Sequence, residues 1–118
     1  MVKRRHRGLG VDGRRREQLL RRLPDLREIL RGSLVERYRR CGRANCRCAR
    51  RGDPGHGPAW YLMVTVGPGK TVQVYVPGQH KEQVENWIEN FRITRETLEE
   101  ISAINRRLLK EGKLFADD

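Results

Sequence analysis

The chain places three cysteines and one histidine within sixteen residues, in the spacing C-x4-C-x-C-x7-H. An odd number of closely spaced cysteines disfavours a framework of structural disulfides. Thiolate and imidazole are the ligands that tetrahedral zinc prefers. The segment therefore predicts a zinc site with the ligands Cys41, Cys46, Cys48 and His56.

Four protein ligands would fill the coordination sphere of zinc, which is typical of a structural site. The motifs of zinc deaminases and of H-E-x-x-H metalloproteases do not occur in the sequence, so we expect a protein that is not an enzyme. Asp53 is the nearest acid, and it lies in a turn where such a side chain usually caps the backbone. Three alternatives stay open: the three thiols bind metal without a histidine, His80 replaces His56 as the fourth ligand, or the cysteines are ordinary reduced thiols. Of the two roles for His80, a surface residue at the start of a helix is favoured over a ligand.

Positive charge is concentrated in the first half of the chain. The 118 residues include 26 Lys and Arg against 15 Asp and Glu, a formal net charge of +11, and the whole excess lies within residues 1–51. All but one of the cations in that half are arginine, whose planar fork suits phosphate oxygens and base edges. Such a block of charge repels itself unless a polyanion neutralises it, which predicts a nucleic-acid partner, DNA or RNA.

The residues expected to contact nucleic acid fall into three groups. They are Lys3, Arg4, Arg5 and Arg7 near the N-terminus, then Arg14, Arg15, Arg16, Arg21 and Arg22, then Arg43, Arg47, Arg50 and Arg51 around the cysteines.

The N-terminal third is predicted to be a basic arm followed by helix. Residues 1–13 are polar and glycine-rich, as in a flexible segment. Leucines then recur at helical spacing, with Pro24 marking a kink or a new helix start. Ser33 and Glu36 have the form of a capping box and predict a helical turn through Tyr38. Residues 14–40 are therefore predicted to be helical, with an apolar stripe of Leu19, Leu23, Leu26 and Leu30.

Apolar and polar residues alternate with period two on both sides of a Gly-Pro-Gly-Lys turn at 67–70. This pattern predicts a β-hairpin over residues 59–77. An isolated hairpin is marginally stable, so one face must pack on another element. Trp60 is favoured as a packing residue of that face, although Trp60, Tyr61 and Tyr75 could alternatively stack on bases.

Residues 79–112 are predicted to form a long helix with a near-heptad seam. The seam consists of Val84, Phe91, Leu98 and Asn105 on one line and Trp87, Thr94, Ile101 and Leu108 on the other. Asn105 either fixes the register or marks the end of the seam. The leucine stripe of the N-terminal helix is the expected partner, and pairing with a second copy of the chain is not excluded.

These elements predict an α+β fold: an antiparallel long-helix pair with a zinc-binding loop (41–58) and a β-hairpin between the helices. One compact domain is expected over residues 14–112, followed by a tail at 113–118. No stretch approaches the roughly 20 apolar residues of a membrane span, and the basic N-terminus is not followed by an apolar signal core. We expect a cytoplasmic protein.

Several short blocks carry a resemblance that covers roughly residues 17–106. They are Gly32-Ser-Leu-Val-Glu-Arg-Tyr38, Arg40-Cys41-Gly, Cys46-Arg-Cys48, His56-Gly-Pro58, Tyr75-Val-Pro77, Val84-Glu-Asn-Trp87 and Glu99-Glu-Ile-Ser-Ala-Ile-Asn105. In these blocks the chain resembles a family of small bacterial proteins of unknown function, sometimes met near transposase or integrase genes. The resemblance implies a cytosolic bacterial setting and a mobile-element context, and it implies no reaction.

Taken together, these patterns predict a non-enzymatic nucleic-acid-binding protein with a structural zinc site, as an accessory factor of a bacterial mobile element. The alternative is a protein-interaction adaptor whose C-terminal helix docks on a transposase or another subunit. An antitoxin-like or ribosome-associated regulator is a third hypothesis.

Overall fold

The computed structural model describes residues 10–114, and within them two helices and one three-stranded antiparallel sheet form the α+β fold that was predicted. In chain order the elements are α1 (Val11–Arg21), β1 (Ser33–Arg39), β2 (His56–Gly67), β3 (Lys70–Val76) and α2 (Lys81–Lys110). Short 3-10 turns occur at Arg47–Ala49 and Gly78–His80.

These elements fall into two compact units, where the sequence led us to expect one domain. The helical unit consists of the described chain up to Ile29 and from Glu89 onward. The sheet unit is Leu30–Ile88 and contains all three strands and the four predicted zinc ligands.

The predicted hairpin is confirmed as β2 and β3, and β1 extends it to a sheet of order β1-β2-β3. Leu34 of β1 lies opposite Leu62, which in turn lies opposite Val74. The predicted helical turn from Ser33 to Tyr38 is therefore wrong, as is helix throughout 14–40, because α1 ends at Arg21. Pairing with β2 decides the conformation of this segment over its local capping signal.

Successive residues of each strand point to opposite faces of the sheet. We call one side the covered face, because it contains the buried side chains Leu62 and Val76. Trp60 lies half-buried on this face, and the ammonium group of Lys81 is 4.4 Å from its ring centroid. We call the other side the open face: Ser33, Val35, Arg37, Ala59, Tyr61, Met63, Thr65, Thr71, Gln73 and Tyr75.

In the helical unit α1 runs antiparallel to the second half of α2. Arg15 and Arg22 pair with Glu100 at 2.9 and 3.2 Å, and Arg107 pairs with Asp12 at the start of α1. The core includes Leu19, Thr97 and Leu108, all buried. Of the predicted leucine stripe, Leu23, Leu26 and Leu30 all lie beyond the helix, and Leu26 is exposed. The predicted pairing of two antiparallel helices is thus present, but α1 has only 11 residues.

The helix α1 begins at Val11, three residues earlier than the pattern predicted. The rest of the predicted arm, including Lys3, Arg4, Arg5 and Arg7, lies outside the described residues, as does most of the predicted tail.

The buried line of α2 departs from the predicted seam. Thr97 is buried, whereas Leu98 is 56% exposed. Thr94, Thr97 and Leu108 are buried at spacings of three and eleven residues, which place them on one side of an α-helix, whereas Leu98 is rotated by about 100° from Thr97. The hydroxyl of Thr97 donates to the Ile93 carbonyl at 2.7 Å, so this buried polar group is satisfied. Asn105 accepts a hydrogen bond from Arg16 at 2.7 Å and links the two helices.

Neither helix of the described region has the length and apolar content needed to cross a membrane.

We expect Gly32→Ala to lower the free energy of unfolding by roughly 1–3 kcal/mol, because Gly32 has a φ of +146°. Its added Cβ would lie 2.8 Å from Cδ1 of Leu62 and 2.9 Å from the Met63 carbonyl oxygen. Urea denaturation measures the change. Gly78→Ala is the control, since a Cβ there meets no atom within 4 Å. Equal effects of the two substitutions would contradict this explanation.

Candidate metal centre

The four predicted ligands lie around the connection between β1 and β2. Cys41 follows the end of β1 by two residues, and His56 is the first residue of β2. Because Arg39 pairs with His56 across the two strands, the ends of the intervening loop are brought together. Cys46 and Cys48 lie at the 3-10 turn within that loop, which we call the Cys/His loop (residues 40–55).

The donor atoms of these side chains, three sulfurs and an imidazole nitrogen, all lie within 4.8 Å of one another. The Sγ atoms of Cys41 and Cys48 are 3.6 Å apart, and Sγ of Cys46 is 3.2 Å from Nε2 of His56. A tetrahedral zinc ion would hold neighbouring donors about 3.5–3.8 Å apart, given the usual bond lengths. The predicted ligand set is therefore brought together in a form that could hold one metal ion. His80 lies outside this cluster.

The surroundings give the thiols different acidities. The backbone N–H of Cys48 donates to the sulfur of Cys46, and together with the thiols of Cys48 and Cys41 it lowers the pKa of Cys46 to about 6. For Cys48, a hydrogen bond from the Cys41 backbone N–H acts to lower the pKa, but burial and the adjacent thiols outweigh it and raise the pKa overall. Cys46 is thus the thiol most readily present as thiolate, the form that binds metal.

Arg40 supports the loop, a role that the sequence analysis missed. Its guanidinium donates to the carbonyl oxygen of Cys48 and, at 2.5 Å, to that of Asp53. Its position beside Cys41 was the only signal, because the two carbonyls become neighbours only in the folded loop. Arg40 therefore ties the 3-10 turn to the end of the loop.

Asp53 and Gly55 shape the return of the chain towards β2. The Asp53 carboxylate accepts a hydrogen bond from the Gly55 N–H at 2.8 Å, the backbone capping that was predicted for it. Gly55 is buried with a φ of +99°, and a Cβ there would lie 2.9 Å from the Arg39 carbonyl oxygen. Only glycine allows this close approach just before His56.

The arginines of the Cys/His loop lie at the surface of the protein. Arg43, Arg50 and Arg51 are exposed and form no ion pair with any residue of the described chain. Arg47 is also exposed, with its guanidinium 3.5 Å from the carboxylate of Asp53.

Five predicted nucleic-acid residues lie on α1 or directly after it. Arg15, Arg16 and Arg22 are engaged by Glu100 and Asn105 of α2. Arg14 and Arg21 are exposed side chains of the same helix. The packing of α1 on α2 thus accounts for part of the basic charge that the sequence analysis assigned to nucleic acid.

We expect Arg40→Ala to weaken metal binding about 10- to 100-fold, as is typical when a residue that orients the ligands is removed. Competition with a chromophoric chelator measures the affinity. The control is Arg51→Ala, which removes an exposed arginine of the same loop that makes no ion pair. Unchanged affinity in Arg40→Ala would show that the cluster forms without this tie.

In metal-free protein we expect iodoacetamide to modify Cys46 with half-maximal rate near pH 6, below the pKa of about 8.5 of an ordinary thiol. Cys48 should react last because it is buried and its pKa is raised. Peptide mass spectrometry across pH 5–9 measures each site, with urea-unfolded protein as the control. A common pH profile for all three thiols would contradict the assignment.

Comparison with known proteins places this site in a family. The family described as "Domain of unknown function (DUF6788)" matches residues 12–86, which include all four cluster residues and the whole sheet. Neither the curated proteins nor the solved structures include a match to the chain. Since the match spans more than half of the 118 residues, the protein belongs to the DUF6788 family.

Proposed function

We propose that the protein binds nucleic acid without catalysing a reaction, and that a structural zinc ion fixes the loop that makes the contact. The observation that carries the proposal is the combination of a four-ligand cluster with exposed arginines on the same loop, Arg43, Arg50 and Arg51, which form no ion pair within residues 10–114.

Zinc is the metal that suits this cluster best. Thiolates select soft or borderline metals, and three sulfurs with one imidazole form a common structural zinc set. Such a site carries about one net negative charge, which nearby guanidinium groups offset. Four protein donors leave no position for a substrate, so the ion would serve the fold.

Charge favours a polyanion as the partner of the sheet unit. From Ser33 to Val76 the chain contains eight Lys and Arg against two Asp and Glu, a net charge of +6. One of the two acids, Asp53, is already engaged with Gly55 and Arg47. Phosphate oxygens would supply the missing partners of the loop arginines. The accessory role at a mobile element rests on the resemblance alone and stays a prediction.

We expect purified protein to contain one zinc per chain and to bind labelled DNA or RNA with an affinity that falls steeply with salt. Metal analysis and fluorescence anisotropy at several salt concentrations measure both, before and after chelation. Loss of binding on chelation would support a contact surface that includes the loop. Absence of zinc, or no binding at low salt, would overturn the proposal.

Replacing Arg43, Arg50 and Arg51 together by Gln tests the loop directly. Each phosphate contact that is lost should flatten the slope of log affinity against log salt by roughly 0.7–0.9. Arg27→Gln is a control for the loss of one exposed arginine outside the loop, because in the part of the chain that the structure describes Arg27 pairs with Asp25 alone. An unchanged slope in the triple variant would place the nucleic-acid contact elsewhere.

The adaptor function remains a second candidate because α2 exposes large apolar side chains. Leu98 and Leu109 are 56% and 63% exposed. They lie eleven residues, or about three turns, apart and so share one side of the helix. If this side pairs with a second copy of the chain, sedimentation should show a dimer that Leu98→Glu dissociates. A monomer at all concentrations would contradict this pairing.

A further inference from the structure

The two faces of the sheet differ in how they are occupied. The covered face buries Leu62 and Val76 and carries Trp60 beneath Lys81. None of the ten residues of the open face is buried. The open face is therefore a surface of the sheet unit that could receive a ligand.

Two tyrosines form the centre of the open face. Tyr61 of the central strand and Tyr75 of β3 lie directly opposite each other, with ring centroids 5.6 Å apart and ring planes at 65°. This edge-to-face contact limits the motion of both rings. Tyr75 nevertheless remains 56% exposed. An aromatic ring held in place but left largely in water is a platform on which a flat ligand can stack.

The charges of the open face suit a polyanion. It contains no carboxylate, since Glu36 lies on the covered face opposite Trp60. Its one charged residue is Arg37, which is exposed and forms no ion pair within residues 10–114. Arg37 lies opposite Ala59, the same-face neighbour of Tyr61, which places it roughly 7–8 Å from the tyrosine row.

The sheet leads from these tyrosines towards the Cys/His loop. The loop joins the end of β1 to the start of β2, so it lies at the Arg37 end of the sheet. A chain of phosphates that passes Arg37 would continue towards the arginines of that loop. On the side of the two tyrosines away from Arg37, the hydroxyl group of Thr71 and the amide group of Gln73 can form hydrogen bonds with sugars or base edges.

We propose that the open face binds single-stranded nucleic acid, with a base stacked on Tyr75 and the backbone running past Arg37 towards the Cys/His loop. The inference rests on the proposed function and names its substrate class. Aromatic residues in a positively charged groove bind single strands because unpaired bases expose their ring faces. Bases within a duplex are already stacked on each other and cannot take this position.

The test uses the full-length zinc-loaded chain and labelled 12-mers of oligo(dT) and oligo(U), with a duplex of equal length for comparison. We expect both single strands to bind more tightly than duplex, and the two single strands distinguish DNA from RNA. Tyr75→Ala should weaken single-strand binding roughly 5- to 150-fold, as the loss of one base stack does. Tyr75→Phe should stay within about twofold, because it keeps the ring.

Matched variants separate stacking from stability and from charge. Val74→Ala alters the adjacent residue on the opposite face, which is 48% exposed, and should leave binding unchanged. Arg37→Gln should flatten the salt slope by about 0.7, whereas Tyr75→Ala should leave that slope unchanged. Should Tyr75→Ala fail to fold, Tyr75→Leu removes the planar ring and keeps an apolar side chain.

The outcomes distinguish this inference from the function on which it rests. No binding of any nucleic acid would overturn both. Salt-dependent binding that prefers duplex, or that Tyr75→Ala and Tyr75→Leu leave unchanged, would overturn the stacking site alone. A dimer in sedimentation that Tyr75→Ala dissociates would show that a second copy covers the open face, and would likewise overturn it.

Discussion

The closure of the Cys/His loop is the constraint on which the candidate site depends. Antiparallel pairing brings Arg39 beside His56, and the Arg40 guanidinium joins the carbonyls of Cys48 and Asp53. With both ends of the loop fixed, four donors from sixteen residues meet within 4.8 Å. The exposed arginines belong to the same loop. Strand pairing therefore determines both the positions of the ligands and the positions of these positive charges.

The sheet unit buries few apolar side chains, so its hydrophobic core is small. Its buried apolar side chains are Leu62, Val76 and Cys48, and Cys48 belongs to the cluster. Small folds with thin cores commonly use a bound metal as a cross-link, because binding free energy becomes folding free energy. A zinc ion here would cross-link the β1–β2 connection and add to the small hydrophobic core of the sheet unit.

The parts predicted correctly from the sequence have strong local signals. Period-two alternation identified β2 and β3, and the ligand types at Cys41 to His56 identified the cluster. The strand β1 was missed because Ser33 and Glu36 resemble a helix cap, while their partners in β2, Met63 and Trp60, lie 30 and 24 residues further along the chain. Thr97 rather than Leu98 faces inward because it shares a side of α2 with the buried Thr94 and Leu108, a packing that the apolar pattern of the sequence does not reveal. Arg40 could not be identified, since its acceptors are backbone carbonyls placed by the fold.

The positions of the loop arginines relative to the ligands affect which residues of the loop can be substituted. Arg43 lies between Cys41 and Cys46 in the sequence, and Arg50 and Arg51 lie between Cys48 and His56. None of these three arginines is next to a ligand residue in the sequence. Arg43, Arg50 and Arg51 are all exposed to solvent. The chain can therefore change what it presents at two short, solvent-facing segments while keeping its ligands, as an antibody varies its loops on a constant sandwich. Relatives with different targets could share one scaffold and differ only there.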